Sequence, residues 1–259
     1  MSDTSKAQPV TALLRGLDIL SCFNQPRLEL TVSEIARRVA LSQPTTWRLC
    51  QTLLEKGYLV RSTSGKALRI GAPSLALGYA AIAGLSLVEI ALPLMQEVTD
   101  STHGTTSLSR RQGHEMIAIE RVDGAFIRPN EPIGWRASLA TVAGGIAVLA
   151  ALPADARQQT IAEMAQPSGK WESKCRRIDE GLRCYEETGY VRVTHSLGGD
   201  YTAIAVPLFD DGANPVDQWA MTCGEIGERW SPDDVERVGA SLKRARSLLQ
   251  PALPAIVNS

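Results

Sequence analysis

The chain has 259 residues, more than one average domain, with 44 % apolar and 21 % charged residues and a formal net charge of -1. A chain of that length can bury more than one core, and the apolar run at residues 144–152 is far too short to span a bilayer. The near-zero total hides an asymmetry: residues 1–72 carry ten Lys/Arg against five Asp/Glu, a net of +5, and the remainder carries -6. A basic head on an acidic body fits a polyanion-binding module joined to one that repels nucleic acid.

The polar start MSDTSKAQPV lacks the apolar stretch of a secretory leader, so residues 1–9 read as a tail and a cytoplasmic, non-membrane location is expected. Val10, Leu13, Leu17 and Leu20 repeat at helical spacing. They predict a first helix over about 11–23 that forms the third side of a small head core. Thr31 and Glu34 then make a T-x-x-E capping box flanked by Leu30 and Ile35 as a hydrophobic staple, which predicts a short helix over 31–39. After the break at Ala40-Leu41, Ser42 stands where a second helix needs a cap, with Pro44 tolerated in its first turn. Thr46, Leu49, Cys50, Leu53 and Leu54 form its buried stripe, and Gly57 ends it.

The other face of that second helix carries Gln43, Thr45, Trp47, Arg48, Gln51 and Thr52, with Ser42 at its start. Hydrogen-bonding side chains and a guanidinium near a helix N-terminus are what a recognition helix presents to a major groove. Two strand signals, 58–61 and 66–70, flank a Ser62-Thr63-Ser64-Gly65 turn. They predict a hairpin wing whose Arg61, Lys66 and Arg69 reach phosphates. The order predicts a winged helix-turn-helix over 10–71 that binds double-stranded DNA.

From Pro73 the chain is rich in Ala, Leu and Gly. A linker helix over 72–85, apolar on nearly every face, fits either a partner-subunit interface or an intrachain core helix. Pro93 argues for two helices in this stretch rather than one. Beyond Gly104, strand signals at 105–109, 116–122, 190–193, 201–207 and 219–223 alternate with helical ones at 140–152, 153–164, about 172–188 and 232–250. Together they predict an α+β domain over 86–253 built on an antiparallel sheet. Asp210-Asp211-Gly212 reads as the start of a connecting loop.

Chemistry of other kinds is not signalled. His103, His114 and His195 are too scattered for a metal motif, and no nucleophile elbow or phosphate loop occurs. Five cysteines without C-x-x-C spacing fit reduced thiols. No catalytic residue, metal or cofactor is expected.

The segments RGLDIL (15–20), LTVSEIARRVALSQPTTWRLCQTLLEKGYL (30–59) and LRIG (68–71) resemble the IclR family of bacterial transcriptional regulators. RVDG (121–124), GGIAVLAALP (144–153), Gly189-Tyr190 and AIAVPL (203–208) continue the resemblance in the family's order. The resemblance implies a GAF/PAS-like effector domain after the winged helix-turn-helix. It also implies operator binding as a homodimer or a dimer of dimers, and control of a metabolic or catabolic operon by a small organic acid or aromatic effector. An enzyme fused to a DNA-binding head, with a catalytic GAF-like domain, is the alternative. The implied effector site gathers Ala143 and Gly144 at a helix start, Thr194, His195 and Ser196 after the Tyr190 strand, and Thr222 on the last strand beside Gly224. The Gly144-Gly145 pair fits either ligand approach or close packing. Trp135 and Trp219 fit either an aromatic wall or plain core. Three positions depart from the family: Ile146 replaces a usual Lys, residues 193–196 lack the usual carboxylates, and Ala40 replaces a turn glycine at a cost of about 1 kcal/mol if the turn is left-handed.

Overall fold

The computed structural model describes residues 9–24, 28–83, 86–125, 132–165, 169–194, 201–208, 218–227 and 230–250. The chain divides into two compact units, residues 1–84 and 85–259.

In the first unit, helix α1 (Thr11–Ser21) precedes α2 (Val32–Arg38) and α3 (Gln43–Glu55). The capping box of α2 is formed. The Thr31 amide and hydroxyl donate to Glu34 Oε2 at 2.8 and 2.7 Å, and the Glu34 amide donates to Thr31 Oγ1. Ala40 takes φ = 52° in the turn that follows, so the left-handed conformation that favours glycine is imposed on an alanine. Ser42 occupies the N-cap position of α3, but its hydroxyl meets Thr45 Oγ1 at 2.9 Å instead of a backbone amide. Strands β1 (Leu59–Arg61) and β2 (Leu68–Ile70) pair antiparallel. Leu30 adds a one-residue bridge on the other side of β2, against Leu68, with both backbone bonds made at 2.8–2.9 Å, a pairing the sequence pattern did not reveal. The head core is Ile19, Leu30, Ile35, Cys50, Leu59 and Leu68.

Helix α1 departs from expectation. Ile19 is fully buried, whereas Val10, Leu13, Leu14 and Leu17 are exposed. At 100° per residue this i, i+3, i+4, i+7 stripe lies opposite Ile19, so most of the apolar face looks away from the head core.

The end of the wing is tied to the end of α3. The Gly71 amide donates to Tyr58 O at 2.8 Å. A Cβ at Gly71 would fall 1.9 Å from Gly57 O, so only glycine fits there. Pro73, which packs against Gly57, then starts helix α4 (Pro73–Ala83).

Helix α5 (Ser86–Thr102) opens the second unit. The two helices expected in this stretch are α4 and α5, but Pro93 lies inside α5 and does not mark their boundary. The stripe of Leu87, Ala91, Met95 and Val98 is buried, while Pro93 is exposed. Packing of that stripe carries the helix past the lost hydrogen bond.

Strands β3 (Thr105–Gln112), β4 (Glu115–Val122), β5 (Arg136–Ser138), β6 (Val191–Val193), β7 (Tyr201–Pro207) and β8 (Trp219–Ile226) form one antiparallel sheet in the order β5-β4-β3-β8-β7-β6. Strand β5 was not anticipated. Helices α6 (Ala143–Ala151), α7 (Ala154–Met164) and α8 (Gly169–Thr188) link its halves, and α9 (Pro232–Leu249) closes the unit. One core packs α5 and α9 on one face of the sheet; the other packs α6 and α8 on the opposite face. The whole is the expected α+β arrangement. Asp210-Asp211-Gly212 lies outside the described residues.

Candidate nucleic-acid interface and ligand pocket

Helix α3 exposes Ser42, Gln43, Arg48 and Thr52 and half-exposes Thr45, while Thr46 and Cys50 are buried in the head core. Trp47 differs from the other expected DNA contacts. Its ring is half-buried, and the Arg61 guanidinium lies over it, 5.5 Å from the ring centroid. The strand register explains the pair. Arg61 faces Leu68, so it shares the core-facing side of the hairpin and reaches back to α3. Arg69 faces Val60 on the other side, and Lys66 is exposed beside the Gly65 turn, where φ is +70°. The three wing cations thus point in three directions. Arg61 is a brace between wing and recognition helix as well as a positive charge.

In the second unit, a pocket partly open to solvent lies on the α6 face of the sheet. Ala143 and Gly144 border it at the start of α6, and Thr222 borders it from β8. A Cβ on Gly144 would stand 3.0 Å from Thr222 Oγ1 and 3.3 Å from Ser109 Oγ, so this glycine opens space toward the hydroxyls. Gly145 has the other role: a Cβ there would fall 2.5 Å from Leu139 Cα, against backbone. Close packing accounts for Gly145, while Gly144 lines the pocket. Ile146 is fully buried against α8, and a Cβ on Gly181 would meet it at 2.6 Å. A lysine there would bury a charge in an apolar contact.

Thr194 and Trp219 are not at this pocket. Val193 is buried on the α6 side of the sheet, and Thr194 follows it just past the end of β6. It borders a separate surface depression with Arg177, Glu180 and Arg192. Period-two alternation on β8 sends Thr222 and Ala220 toward the α6 side and Trp219 into the α5/α9 core, where Arg110 stacks on it at 5.6 Å. Trp135 does line the pocket. Gly224 makes room for the Tyr201 ring, whose hydroxyl oxygen lies 2.1 Å from where a Cβ would be; Tyr201 is itself a pocket wall. His195 and Ser196 lie outside the described residues.

Sequence reasoning missed Arg121, Met116, Ser107 and Ser109, which also line the pocket. The alternation Ser107-Leu108-Ser109 was a usable sign of a strand with one hydroxyl face. Arg121 stands in the RVDG segment of the resemblance, but nothing in the sequence turns it toward the pocket. Among the described residues, no cluster of three or more His, Cys, Asp or Glu has metal-site geometry, and no helix is long and apolar enough to cross a membrane.

The first unit thus presents an exposed helix face braced by a wing, and the second an antiparallel sheet with a pocket on one face. Residues 12–63 match the IclR helix-turn-helix domain, and residues 79–245 match the bacterial transcriptional regulator IclR C-terminal domain. The chain belongs to the IclR family. It is 30 % identical over 209 residues to the HTH-type transcriptional regulator TsaQ1/TsaQ2 of Comamonas testosteroni, covering 79 % of this chain and 75 % of that one. A solved IclR family regulator from Brucella abortus superposes with a TM-score of 0.82 at 29 % identity, over 95 % of this chain and 94 % of the other. An IclR homolog from Microbacterium hydrocarbonoxydans, solved in complex with 4-hydroxybenzoate, shares the fold with a TM-score of 0.67 at 23 % identity, over 95 % of this chain and all of the other.

Proposed function

We propose that this regulator binds its operator as a homodimer or a dimer of dimers in the cytoplasm. A small organic acid or aromatic compound, held in the pocket bordered by α6 and β8, changes that binding and so controls a metabolic or catabolic operon. Residues 10–71 are the DNA-binding head, 72–85 the linker and 86–253 the effector domain. The observation that carries this reading is the pocket itself, which joins hydroxyls and a cation to aromatic walls. The 4-hydroxybenzoate complex of a fold relative supports the same ligand class. Ser42, Gln43, Thr45 and Arg48 face the major groove, with Trp47 and Arg61 braced beside them and Lys66 and Arg69 on phosphates. Association of two heads is supported by the exposed stripe of α1 and by α4, where Leu75, Leu77 and Tyr79 are 76, 59 and 73 % exposed within one chain. The test is fluorescence anisotropy of the full chain on DNA from the intergenic region beside its own gene, with and without a library of small acids and aromatics. Specific binding that one compound class shifts is the expected result; binding to every sequence alike, untouched by any compound, defeats the proposal.

A further inference from the structure

We infer that a β-bulge in β4 sets the charge of the pocket, and that Arg121, placed there by the bulge, anchors a monocarboxylate ligand; the inference rests on the reading of this pocket as the effector site. Along β3 and β4 the register runs Ser109 opposite Ala118 and Leu108 opposite Glu120, leaving Ile119 as the extra residue. Before the bulge, Met116 and Ala118 face the pocket. Continued alternation puts Glu120 next on that face. The inserted residue reverses the phase. Ile119 packs into the α5/α9 core, and Glu120 falls opposite Leu108, which belongs to that same core. Arg121 then takes the pocket position, directly opposite Ser107, which is itself opposite Thr222. One row across three strands therefore reads guanidinium, hydroxyl, hydroxyl. A carboxylate on the pocket wall is replaced by a cation.

The setting suits that cation to ligand binding. The Arg121 side chain is 12 % exposed, and its Nε donates to Asp123, which fixes the plane of the group. Glu120 Oε1 accepts the Arg121 amide at 2.8 Å, which holds the bulge from the opposite face. A guanidinium offers five N–H donors in a planar fork whose complement is a carboxylate. One cation on the wall favours one carboxylate over two, and Met116, Trp135 and Tyr201 accept a flat or alicyclic apolar body.

The experiment is isothermal titration calorimetry of the full chain with compounds matched in shape and different in charge. Benzoate, benzamide and benzylamine form one set; cyclohexanecarboxylate, its primary amide and cyclohexylmethylamine form the other. The acids bind at least tenfold more tightly than their amides, and the amines bind least. Arg121→Met removes the preference for acid over amide, Arg121→Lys restores most of it, and Glu120→Gln leaves it unchanged; circular dichroism confirms that each variant is folded. Amides or amines binding as well as acids overturn the inference and leave a ligand-responsive regulator standing. No binding in any charge class overturns both readings. Equal loss of acid and amide in Arg121→Met makes the side chain structural and overturns the anchor, and a severalfold change of preference in Glu120→Gln overturns the role of the bulge.

Discussion

Ala40 and Arg48 show two ways in which a single residue of the head carries cost or specificity. Ala40 sits at φ = 52° between α2 and α3, where its Cβ crowds the carbonyl that follows. Glycine removes that strain and gives back part of the gain as extra freedom in the unfolded chain. Ala40→Gly therefore raises stability by roughly 0.5–1 kcal/mol; a lower thermal midpoint would contradict the strain. Arg48 is exposed on α3 and has no structural duty in the head core. Arg48→Ala costs about 1–3 kcal/mol of operator affinity if the guanidinium reads a base edge, and specificity relaxes at that position. Anisotropy with single-base operator variants checks this, and unchanged affinity on every variant removes Arg48 from the interface.

At the scale of elements, wing and recognition helix act together because Arg61 stacks on Trp47. In a double-mutant cycle on operator binding, Trp47→Ala and Arg61→Ala are non-additive by about 0.5–1 kcal/mol, the size of an exposed cation–π pair. Strict additivity would show that the two act separately. The start of α2 gives a pH dependence. Bonds from the Thr31 amide and hydroxyl hold the Glu34 carboxyl below its usual range. A lowered folded value stabilises the protein above the unfolded carboxylate range, and that contribution is lost as pH falls through the folded value. The thermal midpoint of wild type thus exceeds that of Glu34→Gln at neutral pH, and the gap closes on acidification. A gap that persists or widens in acid contradicts the assignment. Asp234, held by the Ser231 hydroxyl and amide at the start of α9, obeys the same rule.

For the molecule as a whole, the unpaired apolar surface of α1 and α4 bears on assembly. Leu77→Glu places a charge in a surface that one chain leaves exposed, so the folded monomer tolerates it while self-association and operator affinity fall together. Light scattering beside anisotropy measures both, and an unchanged mass with unchanged affinity assigns α4 another role. What was legible in the sequence divides along physical lines. Local signals, such as the Thr31/Glu34 box, the period-two strands and the glycines at helix ends, located the head and nearly every element of the sheet. The pocket was legible at Ala143, Gly144 and Thr222, and in part at Trp135, one of two tryptophans left open as wall or core. Period two carried through β8 settles Trp219 as core, one of the two readings left open for it, whereas Thr194 follows the last residue of β6, where no alternation fixes its direction. The direction of Arg121 was invisible because a bulge inserts one residue without changing composition. Strand β5 and the Leu30 bridge are too short to show a pattern.

The union of Gly71 with the end of α3 has a mechanical consequence. Gly71 is bonded to Tyr58 and wedged against Gly57, and Pro73 packs on the same glycine, so the chain leaves the wing with little slack. Helix α4, eleven residues and about 16 Å long, is then a lever clamped at one end to the recognition helix. A sideways push of 1 Å at its far end corresponds to a rotation of about 3–4° at the clamp for an arm of that length. Stiffness there converts displacement into torque on α3, so a slack glycine linker inserted after Gly71 uncouples the two motions while leaving each helix intact.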